Sequence, residues 1–151
     1  MRWLVARGRT GQWGTAPFSD TPRRVAQMTD FAGAPGRTHI AESDGRPVGV
    51  LVVGTAPAHV PPAAGPELYV NLLVTDREFA GRGVGGVLVR HALDLAAARG
   101  AAVLRVDCYA GGDRALVRQY EALGFTATDP FTVESAAGSW PGQVLEIRLT
   151  E

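Results

Sequence analysis

The chain has 151 residues, 46% of them hydrophobic and 20% charged, with 15 basic residues against 15 acidic. That length suits one compact domain over 1–151 with a core of its own, and the charge balance argues against nucleic acid or an anionic membrane as partner. No apolar stretch reaches the roughly 18 residues of a membrane span, and a lone cysteine, Cys108, excludes an intrachain disulfide. The opening Met1-Arg2-Trp3-Leu4-Val5-Ala6-Arg7-Gly8 has too short an apolar run for a secretory signal, so a cytoplasmic location is expected. The histidines and acids show no HExxH or comparable spacing, and no metal is expected.

In chain order, Trp3 to Arg7 and Pro22 to Phe31 read as helical pieces. Asp20 or Thr21 is placed to cap the second, and Pro22 suits its first turn because the missing N–H would be unpaired there anyway. Thr38 to Glu42 and Pro47 to Thr55 read as a hairpin around Asp44-Gly45. Four prolines make Ala56 to Pro66 a surface loop. Glu67 to Val74 is an apolar strand suited to the middle of a sheet. A glycine-rich turn then leads into a helix whose apolar face carries Val84, Val87, Leu88, Ala92, Leu95 and Ala96, with Gly100 as a left-handed cap. Ala102 to Val106 is a short buried strand. Asp113 caps a further helix ended by Gly124, and Phe125 to Thr128 and Gln143 to Leu149 are the last strands. The order implies an α/β or α+β layer over one mostly antiparallel sheet.

The chemistry is concentrated in Leu72-Leu73-Val74-Thr75-Asp76-Arg77-Glu78-Phe79-Ala80-Gly81-Arg82-Gly83-Val84-Gly85-Gly86. A buried strand ends and glycines open an amphipathic helix. The unpaired N–H groups of a helix start, together with the helix dipole, favour an anion. Glycines let the backbone come close to it, and Arg82 adds a positive charge. A Walker A loop is excluded because Gly85-Gly86-Val87 stands where Gly-Lys-Ser/Thr is required. A dinucleotide-binding loop is matched only in part, although Asp107 lies near the end of the next strand. Read without further context, the loop is compatible with a simple tight turn.

The segment resembles the pyrophosphate loop of the GNAT acetyltransferases, Gln/Arg-x-x-Gly-x-Gly/Ala, with Gly83 and Gly85 on its glycines and Ala80 in place of Gln or Arg. Asp113, Tyr120 and Gly124-Phe125 are similar to the family's Asn-x6-Tyr-x3-Gly-Phe, with Asp113 replacing Asn, and Trp140 to Glu146 resembles its final strand. The likeness covers about residues 38 to 150 and implies a mixed sheet whose two central strands, 67–74 and 102–107, splay to admit acetyl-coenzyme A. It implies that backbone groups of Leu73 and Val74 bond the pantetheine arm and that the N–H groups of Arg82, Gly83, Val84, Gly85 and Gly86 hold the pyrophosphate, with Asp113 as a further cofactor contact. Family members begin with a strand that the chain's opening does not show. A partner strand in a homodimer would fill that edge.

On this resemblance the chain acetylates a primary amine of a small molecule or peptide by direct attack, with Tyr120 protonating the leaving thiol. The rival reading is a non-catalytic acyl-CoA-binding module. Glu67, beside the site, is the first candidate for the base, followed by Glu42, His39 and Asp107. Asn71 is the candidate for orienting substrate or water, and the Pro57 to Pro66 loop and Trp13 are candidate acceptor walls. Cys108 lacks the His and Asp/Asn partners of a nucleophile.

Overall fold

In the computed structural model of the chain, residues 2–8, 10, 11, 14–136 and 138–149 are described. Trp13 lies outside them. Two helices come first, α1 (Arg2–Ala6) and α2 (Pro22–Gly33). Pro22 takes the first turn of α2, but the expected side-chain cap is not made: the Thr21 hydroxyl donates to the Pro17 carbonyl at 3.2 Å instead. β1 (Thr38–Ser43) and β2 (Arg46–Gly54) form the hairpin. Its turn holds Asp44 at φ 50° and Gly45 at φ 74°, the left-handed pair that a two-residue primed turn requires.

There follow β3 (Glu67–Thr75), α3 (Val84–Ala98), β4 (Val103–Tyr109), α4 (Ala115–Ala122), β5 (Thr126–Ser135) and β6 (Gly138–Arg148). The six strands make one sheet in the order β1-β2-β3-β4-β6-β5. All neighbours are antiparallel except β3 and β4, and α3 is the crossover that a parallel pair needs.

The last three strands exceed what the sequence suggests. β4 continues to Tyr109, and β5 and β6 form a long hairpin where short strands over 125–128 and 143–149 are expected. Prolines argue against strand interiors, yet they are tolerated at edges and irregularities. Pro130 stands on the edge strand β5 beside a register shift, and Pro141 lies where β6 has run past its last pair with β4, Tyr109 opposite Gly142.

Alternation along the strands divides the sheet into two faces. Leu51, Leu68, Val70, Leu104, Val106 and Leu145 meet Leu88, Val89, Ala92 and Val117 of the helices in the main core. Burying a side chain such as Leu104 contributes about 1.5–3 kcal/mol. On the opposite face Val60 of the proline-bearing loop packs on Tyr69 and Val144 in a smaller cluster. Among the described residues no helix is long and apolar enough to cross a membrane, and no group of three or more His, Cys, Asp or Glu is placed to hold a metal.

Candidate active site

The two parallel strands are paired only from Glu67 opposite Val103 to Val70 opposite Val106. Both continue beyond that point without each other. The cause lies in β3: Val52 of β2 faces Leu72 while Val53 faces Val70, so Asn71 is an extra residue, a bulge that bends its strand. It also reverses the alternation, because Val70 and Leu73, an odd number of residues apart, both pack into the main core. Asn71 is fixed at the bend. Its amide oxygen accepts from Arg37 Nη2 at 3.2 Å and its amide nitrogen donates to the Thr55 carbonyl at 2.9 Å. Gly54 makes room for this, since a Cβ there would lie 2.7 Å from both Arg37 Nη2 and Asn71 Oδ1. Asn71, the candidate for orienting substrate or water, has both ends of its amide engaged by the protein at the bend.

Backbone direction past the bulge distinguishes the two residues expected to line it. The Asp76 N–H bonds the Val48 carbonyl at 2.8 Å, so Asp76, and by alternation Val74 and Leu72, turn their peptide groups toward β2. Leu73 and Thr75 turn theirs to the gap. The backbone of Leu73 therefore faces the gap, whereas that of Val74 is taken by β2.

The loop after β3 makes a short 3-10 turn over Arg77–Phe79, braced by Arg46, which bonds Asp76 at 2.8 Å and Glu78 at 2.7 Å. Gly81 and Gly83 take φ of 76° and 79°, which side chains rarely adopt. Gly85 and Gly86 are helical, and a Cβ on them would meet only Leu123 at 3.6 Å and Arg90 at 3.8 Å. Their lack of side chains leaves the helix end uncovered rather than making the turn. The first intrahelical donor is Val87, whose N–H reaches the Gly83 carbonyl at 3.0 Å. The N–H groups of Val84, Gly85 and Gly86 therefore have no partner within α3, and the dipole adds positive potential there. The Arg82 N–H, expected to join them, donates to the Phe79 carbonyl at 3.1 Å, while its guanidinium lies over the Phe79 ring at 4.9 Å.

Different side chains flank the gap on the two faces of the sheet. On the helix face Tyr120 packs edge-on against Phe125, ring centroids 5.7 Å apart. Burial, with Cys108 and Asp107 adding to it, pushes the Tyr120 hydroxyl well above the usual phenol range, and no described residue hydrogen-bonds it. Cys108 is buried, and burial first and Asp107 second push its thiol up to about 12, which leaves it inert rather than nucleophilic. On the opposite face stands Asp107, the first β4 residue past the last β3 pair. Its Oδ1 accepts from the Tyr69 hydroxyl, and its Oδ2 lies 3.7 Å from His59 Nε2.

The other candidates are elsewhere. Glu67 is at the closed end of the strand pair, its Oε2 held at 2.9 Å by Nη1 of the buried Arg105, whose Nη2 also bonds the Pro61 carbonyl at 2.9 Å. Glu42 and His39 belong to the far edge strand β1, where His39 Nδ1 meets His91 Nε2 at 3.0 Å. Asp113, expected to cap α4, stands one residue before its N-cap Arg114, and its Oδ1 accepts from the Ala115 N–H at 3.0 Å. His59 escaped the sequence reading because a loop histidine carries no motif. The one available signal was alternation along β4, which puts Asp107 on the face that the loop covers.

The sequence matches the family model of the acetyltransferase (GNAT) family over residues 2–125. Compared with curated proteins, it has no significant match. Solved structures of similar fold include the ribosomal-protein-S18-alanine N-acetyltransferase from Escherichia coli, at 17% identity and TM-score 0.60 over 83% of this chain and 77% of that one. A putative phosphinothricin N-acetyltransferase aligns at 23% identity and TM-score 0.66, over 88% and 85% of the two chains. A putative streptothricin acetyltransferase from Bacillus anthracis str. Ames, solved in complex with acetyl coenzyme A, aligns at 14% identity and TM-score 0.63, over 81% and 68%. The family model spans most of the chain and the six-stranded sheet matches these folds, so the chain belongs to the GNAT acetyltransferase family.

Proposed function

We propose that the chain transfers the acetyl group of acetyl-CoA to a primary amine by direct attack. The observation that carries this reading is the bulge-driven parting of β3 and β4, with an uncovered helix N-terminus near one end and Tyr120 and Asp107 on its two faces. The peptide groups of Leu73 and Thr75 offer an unpaired strand edge, which suits the amides of a pantetheine arm. The N–H groups of Val84, Gly85 and Gly86, with Gly83 beside them and Arg82 as a nearby charge, suit a pyrophosphate. Asp113 supports this end indirectly by fixing the start of α4.

The amine must lose a proton before it attacks the thioester carbonyl. Glu67 is committed to Arg105, so the base role passes to Asp107, whose Oδ2 is not hydrogen-bonded by Tyr69. As the carbon–sulfur bond breaks, the sulfur takes up a proton, for which Tyr120 is the donor. Burial makes its hydroxyl a weaker acid, and by the same physics a thiol held in those dry surroundings is a weaker acid as well.

The test is Tyr120→Phe. Turnover should fall by roughly 10²–10⁴, while acetyl-CoA affinity measured by calorimetry stays within a few-fold. Wild-type binding without turnover of any amine would leave an acyl-CoA-binding module, and unchanged turnover in the variant would remove Tyr120 from the chemistry.

A further inference from the structure

Beside Asp107 the face of the sheet opposite α3 and α4 carries a continuous row of rings, with Gly11 of the N-terminal segment close against the Tyr109 hydroxyl. His59 and Phe131 have centroids 5.3 Å apart, Phe131 and Trp140 6.1 Å, and Trp140 and Tyr109 5.6 Å. Register explains why they share a face: Tyr109 is two residues beyond Asp107 on β4, Tyr109 and Phe131 both oppose Gly142, and Trp140 is two residues before it. Glycine seats the row, since a Cβ at Gly142 would lie 2.2 Å from Phe131 Cζ, and one at Gly111 2.2 Å from Tyr109 Oη. Phe131, Trp140 and Tyr109 are half-buried and His59 is more open.

Charge on this face is sparse. Among the described residues Asp107 is the carboxylate beside the row, because Glu67 is held by Arg105 and Glu146 by Arg148. The arginines of this face already have partners: Arg105 is held by Glu67 and the Pro61 carbonyl, Arg37 by Asn71 and the Val53 carbonyl, and Arg148, opposite Val103 at the far end of β4, by Glu146. A ligand that fits has one cationic amine for Asp107 and a flat apolar body for the rings, which attract both aromatic surface and positive charge. A polyamine would leave its further charges without a free carboxylate beside the row, and an amino acid would bring its carboxylate toward Asp107 with no free guanidinium among the described residues to receive it.

Resting on the acetyl-transfer reading, we infer that the acceptor is an aromatic monoamine, its ammonium on Asp107 and its ring against the Phe131, Trp140 and Tyr109 row. The test compares kcat/KM for 2-phenylethylamine, hexylamine, L-phenylalanine and spermidine with saturating acetyl-CoA, alongside calorimetry with acetyl-CoA alone. 2-Phenylethylamine should exceed L-phenylalanine and spermidine by at least about tenfold and also exceed hexylamine. Trp140→Leu should raise KM for 2-phenylethylamine by roughly tenfold with kcat nearly unchanged. Unaltered acetyl-CoA affinity in that variant shows that it is folded. Equal or better use of spermidine or L-phenylalanine, an unmoved KM in Trp140→Leu, or acetyl-CoA binding with none of these amines acetylated would each overturn the inference while leaving acetyl-CoA binding intact. Absence of acetyl-CoA binding would remove both readings.

Discussion

Arg105 carries a guanidinium whose side chain is 3% exposed, and such a group persists in an interior only with partners. Glu67 and the Pro61 carbonyl supply them, tying the start of β3 to the proline-bearing loop. Two carboxylates that look equivalent in the sequence are therefore expected to behave differently. Glu67→Ala should destabilise by about 3 kcal/mol by stranding Arg105, read as a lower midpoint in thermal unfolding. Asp107→Asn should unfold close to wild type and lose turnover. If Glu67→Ala unfolds like wild type and loses turnover instead, the base belongs to Glu67. The pH dependence of stability has a separate source. Burial first and His91 second depress the His39 pKa in the folded chain, so the unfolded chain takes up that proton first as pH falls below about 6.5. The contribution is complete above that pH and is lost as pH drops through the depressed folded value. Unfolding free energy should decline from pH 7 to 5, and His39→Gln should flatten the decline. At this scale the sequence made Tyr120, the loop glycines and Asp113 candidates because motif spacing marks them. It could not rank Glu67 against Asp107, because the ranking depends on an arginine distant in sequence and on which strand end is open.

The element that decides the site is β3 with its bulge. Leu-Tyr-Val-Asn-Leu-Leu-Val is apolar almost throughout, so nothing in its alternation betrays a slipped register, and a strand there was legible while the bulge was not. Consequently the sequence placed Leu73 and Val74 together at the gap, where pairing lets only one of them face it. The same limit affected Arg82, whose N–H is taken by a 3-10 turn that the glycine pattern does not announce. Prolines misled over β5 and β6, since edge positions and register shifts accommodate them. Asn71→Ala removes both hydrogen bonds at the bulge and leaves Arg37 with one partner fewer, a loss of about 1–3 kcal/mol. Its acetyl-CoA affinity should fall by a larger factor than in a surface variant of equal stability. Equal affinities would show that the gap does not depend on Asn71.

Across the whole molecule the sheet works as a divider. Helices cover one face and bring Tyr120 to the gap, while the loop over residues 55–66 and the β5–β6 hairpin shape the other around Asp107. The gap lies between the two central strands, and on the proposed reading the two reactants meet there from opposite faces of the sheet. This architecture was legible from element order and two motifs, because alternating strands and helices with a crossover leave few arrangements. The measurement that bears most directly on the account is thiol release from acetyl-CoA by the purified protein, with and without a panel of primary amines. The account predicts release that requires an amine, saturates in both reactants, yields the N-acetyl product and is lost in Tyr120→Phe. Binding of acetyl-CoA with no amine-dependent release across the panel would contradict it.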